Sequence, residues 1–128
     1  MLIVYSSKTG NVQRFVNKLD LPCVKIEDDL VVSELFILLT YTTGFGEVPQ
    51  EVMDFMSRGE HMKLIVAVSA SGNRNWGQAY CKAGDTLAAM CKIPILSKFE
   101  LSGTPRDIRI FKEGYDKLCQ NGLLSTMN

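Results

Sequence analysis

The stretch that decides the fold is LIVYSSKTGNVQRFV, residues 2–16. Four apolar residues, typical of a buried β-strand, lead directly into the polar segment SSKTGN at 6–11. Val12, Phe15 and Val16 then recur at the spacing of one helix face. The sequence therefore predicts a strand, a short polar loop and a helix in immediate succession, and it raises the question of what the loop holds.

The same alternation continues along the chain. Apolar or alternating runs predict further strands at 23–26, 35–39, 64–68 and 95–101. Pro49 suits the first position of a second helix, with Val52, Met53 and Met56 facing inward. A longer helix is expected from Trp76 to Cys91. The segment Thr104-Pro105 is expected to cap and begin the last helix.

Strands that alternate with helices indicate a parallel sheet with right-handed crossovers. The first, third and fourth strands are apolar on both faces, which suits the centre of a sheet, whereas the second and fifth carry Lys25, Lys98 and Glu100. The predicted fold class is therefore α/β, a flavodoxin-like three-layer sandwich around a five-stranded parallel sheet of order 2-1-3-4-5. Residues 1–128 are expected to form a single domain.

Composition excludes several classes of partner. Lys plus Arg and Asp plus Glu number 14 each, so charge gives no reason to expect nucleic acid or an anionic membrane as a partner. Four cysteines without a C-x-x-C pair, and one histidine, make a metal site unexpected. The cysteines are expected to be free thiols in a reducing cytoplasm. No apolar run reaches the ~20 residues that cross a bilayer, and no basic segment of a secretory signal precedes Leu2.

Three loops rich in Ser, Thr, Asn and Gly follow the first, third and fourth strands. They are SSKTGN at 6–11, YTTGFGEVP at 41–49 and SASGNRNWG at 69–77. In the predicted sheet they meet beyond the carboxyl ends of the strands, where such folds bind ligands. Turn chemistry alone is the alternative explanation, since these residue types favour turns.

The first loop has the features of a phosphate site. A helix that begins near Asn11 presents unpaired N–H groups and the positive end of its dipole. Hydroxyls of Ser6, Ser7 and Thr9, with Gly10 for close approach, complete a cradle for an anion.

Other phosphate-handling classes lack their residues. A Walker loop is absent, and Pro49 stands where a G-x-G-x-x-G motif would have its third glycine. The first and third strands end in Tyr5-Ser6 and Tyr41-Thr42, not in the acidic residues of a phospho-receiver. No paired carboxylates or Ser/His/Asp set lies at the loop end, so hydrolysis has no visible machinery.

Aromatic residues suggest what the phosphate is attached to. Tyr41, Phe45 and Trp76 lie in or beside the second and third loops, where a planar ring could rest among them. Core packing is the alternative for Trp76, which is in phase with its predicted helix. A phosphate and a flat apolar ring in a 2-1-3-4-5 sheet point to flavin mononucleotide (FMN).

The loop sequences also resemble a known family. SSKTGN is similar to the phosphate loop of flavodoxins, T/S-x-T-G-x-T, except that Val12 stands at its last position. TYTTGFGEVPQ, SASGNRNWG and PILSKFELSGT together resemble the NrdI family, small flavodoxin-like proteins associated with class Ib ribonucleotide reductase. The resemblance runs from Leu2 to about Leu118.

This resemblance implies bound FMN whose reduced form reacts with oxygen. The oxidant, superoxide or peroxide, would pass to the dimanganese small subunit of the reductase and form its tyrosyl radical. An electron donor such as a flavodoxin reductase would supply the electrons. The chain would then be a redox activator in deoxyribonucleotide synthesis, not a stand-alone metabolic enzyme. Two other functions stay open: a general flavodoxin-type electron carrier, and a non-redox module that binds a phosphorylated metabolite.

The resemblance also assigns residues to the cofactor. Gly44 is expected beside the reactive edge of the flavin, where its peptide can rotate because glycine tolerates positive φ. Phe45, Glu47, Val48, Arg74 and Asn75 are expected to form the rim that docks on the partner. The expected FMN ligands are Ser6, Ser7, Thr9, Gly10 and Asn11 at the phosphate, and Thr42, Thr43, Gly44, Phe45, Ser71, Gly72, Asn73 and Trp76 at the ring.

Overall fold

The computed structural model describes residues 1–43 and 46–127, with the backbone alone described for 121–127. Strands and helices alternate along most of the chain. The strands are β1 (Leu2–Tyr5), β2 (Cys23–Lys25), β3 (Phe36–Tyr41), β4 (Ile65–Gly72) and β5 (Ile95–Glu100). The helices are α1 (Asn11–Leu19), α2 (Gln50–Met56), α3 (His61–Leu64), α4 (Lys82–Cys91) and α5 (Pro105–Met127), with a 3₁₀ segment at Arg74–Ala79.

The sheet has the predicted order, β2-β1-β3-β4-β5, and every described pairing is parallel. In β1, Val4 pairs with Val24 of β2 on one side and Leu38 of β3 on the other. The two edge strands carry the charged residues, as expected. Parallel order brings the carboxyl ends of all five strands to one edge, so the loops that follow them converge there.

Helices cover both faces of the sheet over two apolar cores. On one face, Phe15 of α1 stacks on Phe99 of β5 at a centroid distance of 3.9 Å, and Phe111 of α5 meets Phe15 edge-on at 5.6 Å. On the other face, α2 and α4 bury Phe55 and Leu87 against β3 and β4. Aromatic pairs of this kind add about 0.5–1.5 kcal/mol beyond their buried area. The first core holds α1 and α5 together against one face of the sheet.

The second helix differs from its prediction in which side chains it buries. It begins at Gln50, with Pro49 just before it, and it buries Val52, Phe55 and Met56. Met53, predicted to face inward, is 37% exposed. The spacing i, i+3, i+4 from Val52 describes the buried face, and the larger aromatic ring of Phe55 occupies the core position.

The predicted long helix from Trp76 is wrong. Gly77 has φ of 57° and ψ of −120°, which interrupts helical geometry after the 3₁₀ turn. The α-helix starts only at Lys82 and buries Ala83, Gly84 and Leu87. Trp76 is 41% exposed, so it is not a core residue of this helix. The kink leaves its ring beside the converging loops.

The one histidine is a core residue. His61 is fully buried, accepts a 3.0 Å hydrogen bond at Nε2 from the N–H of Val32, and stacks on Phe55. Since Nε2 is the acceptor, Nδ1 carries the proton and donates to the carbonyl of Phe55 at 2.6 Å. Over residues 1–43 and 46–127, no helix is long and apolar enough to cross a membrane.

Candidate functional site

A cleft of about 340 Å³ lies at the carboxyl edge of the sheet. Four segments form it: the loop after β1, the end of β3, the end of β4 with its 3₁₀ turn, and the residue that follows β5. The lining residues are Ser7, Lys8, Thr9, Asn11, Val12, Tyr41, Thr42, Thr43, Ser71, Gly72, Asn73, Trp76 and Leu101. The three polar loops singled out from the sequence therefore share one concave site.

The loop after β1 delivers the start of α1 to this cleft. Gly10 stands just before the helix with φ of +89°, a left-handed conformation that glycine adopts without steric cost. The Ser7 hydroxyl accepts the N–H of Gln13 at 3.1 Å, so it caps the first turn. The N–H groups of Asn11 and Val12 have no partner within the helix. They carry the positive end of the helix dipole to residues that line the cleft, an arrangement suited to an anion.

An arginine ties this loop to the last strand. Arg14 donates from Nε to the Ser102 hydroxyl at 3.0 Å and from Nη2 to the side-chain oxygen of Asn11. Ser102 also donates to Asn11 at 3.2 Å. The orientation of Asn11 at the cleft is therefore fixed from two sides, and a guanidinium charge lies beside the anion-binding segment. Lys8, which lines the cleft, adds a second cation.

One buried hydroxyl in the cleft has no partner. Thr42 is 6% exposed, and its Oγ1 is the buried side-chain polar atom that lacks a hydrogen bond within the described parts of the chain. Its neighbour Thr43 exchanges two backbone hydrogen bonds with Glu47, at 3.0 and 2.7 Å. Burial of an unpaired hydroxyl costs about 1–3 kcal/mol. A ligand with a polar edge in the cleft would remove that cost.

A carboxylate joins two strand ends beneath the cleft. Ser6 and Tyr41 both donate their hydroxyls to Oε1 of Glu51, in the first turn of α2. Burial raises the pKa of Tyr41, and the hydrogen bond to Glu51 and its charge raise it further, so the phenol stays protonated. Burial alone would raise the pKa of Glu51, but hydrogen bonds from Tyr41, its own backbone and Ser6, with the charge of Lys8, lower it overall. The pair is a neutral phenol on an ionised carboxylate.

The segment after β4 shapes the other side. Asn73 accepts the N–H of Asn75 at 2.9 Å, which starts the 3₁₀ turn that carries Trp76. A Cβ on Gly72 would lie 2.8 Å from the backbone nitrogen of Cys81, so only glycine fits there. Burial raises the pKa of the Cys81 thiol to about 11, which keeps it protonated and unreactive at neutral pH. The chemistry of the cleft therefore rests on hydroxyls, amides and the basic side chain of Lys8, with Arg14 bonded to Asn11 nearby.

Comparison with known proteins agrees with this geometry. Residues 3–113 match the family described as NrdI Flavodoxin like. The chain belongs to this family. Protein NrdI of Bacillus licheniformis is 44% identical over 117 residues, which are 91% of this chain and 88% of that one. Protein NrdI of Macrococcus caseolyticus is 45% identical over 121 residues, 94% of this chain and 92% of its own length.

Solved structures support the same fold. A short-chain flavodoxin associated with a non-canonical PDU bacterial microcompartment superposes with a TM-score of 0.70 at 21% identity, over 91% of this chain and 96% of that one. The flavodoxin of Streptococcus pneumonia TIGR4 gives a TM-score of 0.63 at 24% identity, over 94% and 97%. At these identities the likeness concerns the fold alone.

Membership of the NrdI flavodoxin-like family implies FMN as the cofactor. The residues of the cleft fit that group. A phosphate suits the start of α1 with Lys8 and Arg14 nearby, the unpartnered hydroxyl of Thr42 suits a polar ring edge, and Trp76 offers an apolar surface.

Most residues predicted from the sequence as ligands line the cleft, although their contacts with FMN remain predictions. Two do not line it. Ser6 is 3% exposed and its hydroxyl is bound to Glu51, while Gly10 shapes the loop through its backbone. Gly44 and Phe45 lie outside the described residues. The predicted ligands that line the cleft are Ser7, Thr9, Asn11, Thr42, Thr43, Ser71, Gly72, Asn73 and Trp76.

Sequence reasoning missed Leu101 and the role of Glu51. Leu101 follows β5 and begins the segment LSGT at 101–104, which is also polar and contains glycine. This segment begins at the same edge of the sheet as the other three loops. That loop composition was a usable signal. Glu51 gave none, because an acidic residue in the first turn of a helix is common and its contacts join residues far apart in the chain.

Proposed function

We propose that the chain is an FMN-binding redox protein that activates a class Ib ribonucleotide reductase. Reduced FMN, when bound, would react with oxygen and supply superoxide or peroxide, which oxidises the dimanganese centre of the small subunit and yields its tyrosyl radical. The observation that supports the proposal is the cleft itself, in a chain of the NrdI family. There a helix start suited to an anion lies beside polar and apolar residues suited to a planar ring.

The chain's own residues would bind and orient the cofactor. Thr9 and Asn11, with the backbone N–H groups at the start of α1, would hold the phosphate. Thr42 would donate or accept at the polar edge of the ring, and Trp76 would cover apolar surface. Gly44 would keep the place predicted from the sequence, beside the reactive edge of the ring, where its peptide could rotate to offer its carbonyl to the reduced ring.

Charge around the cleft supports this function over simple electron transfer. Flavodoxins that carry electrons are typically strongly acidic, which disfavours an anionic reduced flavin. This chain has 14 basic and 14 acidic residues, Lys8 lines the cleft, and Arg14 bonds to Asn11, which lines it too. A less negative electrostatic potential around the cleft favours the fully reduced, anionic cofactor, which is the form that reacts with oxygen.

The small subunit would dock on the rim of the cleft. Glu47, Arg74 and Asn75 are exposed there, and Val48 is half-buried. The backbone N–H of Arg74 donates to the carboxylate of Glu100 at 2.9 Å, and the Arg74 guanidinium lies 5.9 Å from the ring centre of Tyr80. These two contacts hold the loop in place. Arginine and aromatic residues are frequent interface anchors, which makes Arg74 and Phe45 the candidates.

The decisive experiment combines a spectrum with an activation assay. Freshly purified protein should show flavin absorption bands, which a module for a phosphorylated metabolite would lack. The reduced protein with oxygen should generate a tyrosyl radical in a manganese-loaded class Ib small subunit, measured by electron paramagnetic resonance. A flavin-containing protein that gives no radical would instead be a general electron carrier.

The docking surface has its own test. The double variant of Phe45→Ala with Arg74→Ala, saturated with FMN because Phe45 is also an expected ring contact, should react with oxygen as the parent does, yet bind the small subunit more weakly by calorimetry and give less radical. Arg109→Ala, which removes an exposed arginine from α5, is the matched control and should behave as the parent. Normal binding and radical yield in the double variant would place the docking surface elsewhere.

A further inference from the structure

Leu101 is unusual in its place, its exposure and its backbone conformation. It follows β5 directly and lines the cleft, and it remains 53% exposed, a high value for a large apolar residue in a binding site. Its φ is +54°, in the left-handed region that leucine disfavours because its Cβ crowds the backbone.

The other non-glycine residues with positive φ all adjoin the ends of helices. Within the described ranges these are Asp20, Cys81 and Lys92. Asp20 and Lys92 follow the last turns of α1 and α4, where a left-handed residue is common, and Cys81 immediately precedes α4. Leu101 stands at no helix end, because α5 begins only at Pro105. Its conformation needs another reason.

Residues of the cleft hold Leu101 in this conformation. Its N–H donates to the carbonyl of Gly72 at 3.2 Å, and its carbonyl accepts the Ser71 hydroxyl at 2.9 Å. Both partners line the cleft themselves. Glycine or asparagine would adopt the same turn with less strain. A disfavoured leucine at a position that presents it to the ligand site indicates that its side chain, not its backbone, is what the site uses.

We propose that Leu101 is an apolar contact for the planar ring of the cofactor, at the same cleft as Trp76. The inference rests on the proposed binding of FMN. A flavin ring has two apolar faces that gain from leaving water, and two large exposed apolar side chains at one cleft would be covered when the ring enters. The left-handed backbone is then the means by which a strand-end residue reaches the cleft.

The test separates binding from folding. Leu101→Gly relieves the backbone strain and removes the apolar contact. We expect the apoprotein to unfold at or above the temperature of the parent, by up to about 4 °C, while the dissociation constant for FMN, measured by calorimetry, rises about three- to tenfold. Leu101→Asn, which also tolerates the left-handed region, should weaken binding similarly. Leu101→Met, which keeps a large apolar side chain, should bind FMN as the parent does.

Lys92→Gly is the matched control. Lys92 is exposed, has φ of 56°, and lies after α4 away from the cleft lining, so its replacement should match the stability effect and leave FMN affinity unchanged. Parent-like affinity in Leu101→Gly and Leu101→Asn would overturn this inference and leave the proposed function intact. So would a large fall in the unfolding temperature of both variants, which would make Leu101 a structural residue. A parent that does not bind FMN would overturn both.

Discussion

The hydroxyl of Ser6 donates a 2.8 Å hydrogen bond to Oε1 of Glu51 and so joins the end of β1 to the first turn of α2. Tyr41, at the end of β3, donates to the same oxygen. One carboxylate thus connects the ends of two adjacent strands with the helix that follows the second. Because Tyr41 lines the cleft, this network positions a wall of the site from below.

The Glu51 network predicts an acid-sensitive component of stability. The pKa of Glu51 is lowered in the folded protein: burial opposes this, but bonds from Tyr41, the backbone and Ser6 outweigh it. A group whose pKa is lowered by folding stabilises the protein at pH values above its unfolded-state pKa. This stabilisation is lost as the pH falls through its folded-state pKa. The free energy of unfolding, measured in urea from about pH 5 to about pH 3, should therefore fall more steeply in the parent than in Glu51→Gln.

Tyr41→Phe provides an intermediate case. It removes one donor and leaves the carboxylate and Ser6 in place, so its slope should lie between those of the parent and Glu51→Gln. Identical slopes in all three proteins would show that the carboxylate is not stabilised by the network.

Two of the three hydroxyls of the first loop, those of Thr9 and Ser7, should separate into a binding role and a capping role. Thr9→Val is expected to weaken FMN binding by about ten- to a hundredfold, the loss of one hydrogen bond to a charged group, with little change in the unfolding temperature. Ser7→Ala removes the cap on the N–H of Gln13, so it should destabilise the protein by about 1 kcal/mol. Flavin fluorescence titration and thermal unfolding measure the two effects. Unchanged affinity in Thr9→Val would exclude Thr9 from the site.

The sheet could be predicted because its physics is local. Strands that are buried on both faces need continuous apolar residues, and 2–5, 35–39 and 64–68 supply them, so their central places followed from sequence. Because the strands are parallel, the loops that follow them must all lie at the carboxyl edge of the sheet. The strand ends could not be predicted as well. The fourth strand was expected to end at Val68, but β4 continues to Gly72 through the polar residues Ser69 and Ser71, which pair with β5 inside the sheet.

The errors arose where tertiary contacts override periodicity. Trp76 is in phase with the residues of α4, but Gly77 adopts a positive φ that ends the helical turn, and no sequence pattern reveals which backbone angle a glycine takes. Met53 lies off the buried face of α2, whereas Phe55 is on it and stacks on His61. The left-handed conformation of Leu101 depends on bonds to Ser71 and Gly72, 30 and 29 residues earlier in the chain.

Thr42 and Thr40 give the sharpest prediction, because they share a strand end and differ in one bond. The hydroxyl of Thr40 is buried and donates to the carbonyl of Tyr41 at 2.8 Å, whereas that of Thr42 is buried and has no partner among the described residues. Thr42→Val should stabilise the apoprotein by about 1 kcal/mol, since it removes an unpaired buried hydroxyl, and weaken FMN binding by about three- to tenfold. Thr40→Val should destabilise the protein by about 1 kcal/mol and leave FMN affinity unchanged. Urea unfolding without flavin and calorimetric titration with FMN measure both quantities. If Thr42→Val binds FMN as the parent does, its hydroxyl does not face the cofactor, and the polar edge of the ring must find its partners elsewhere in the cleft.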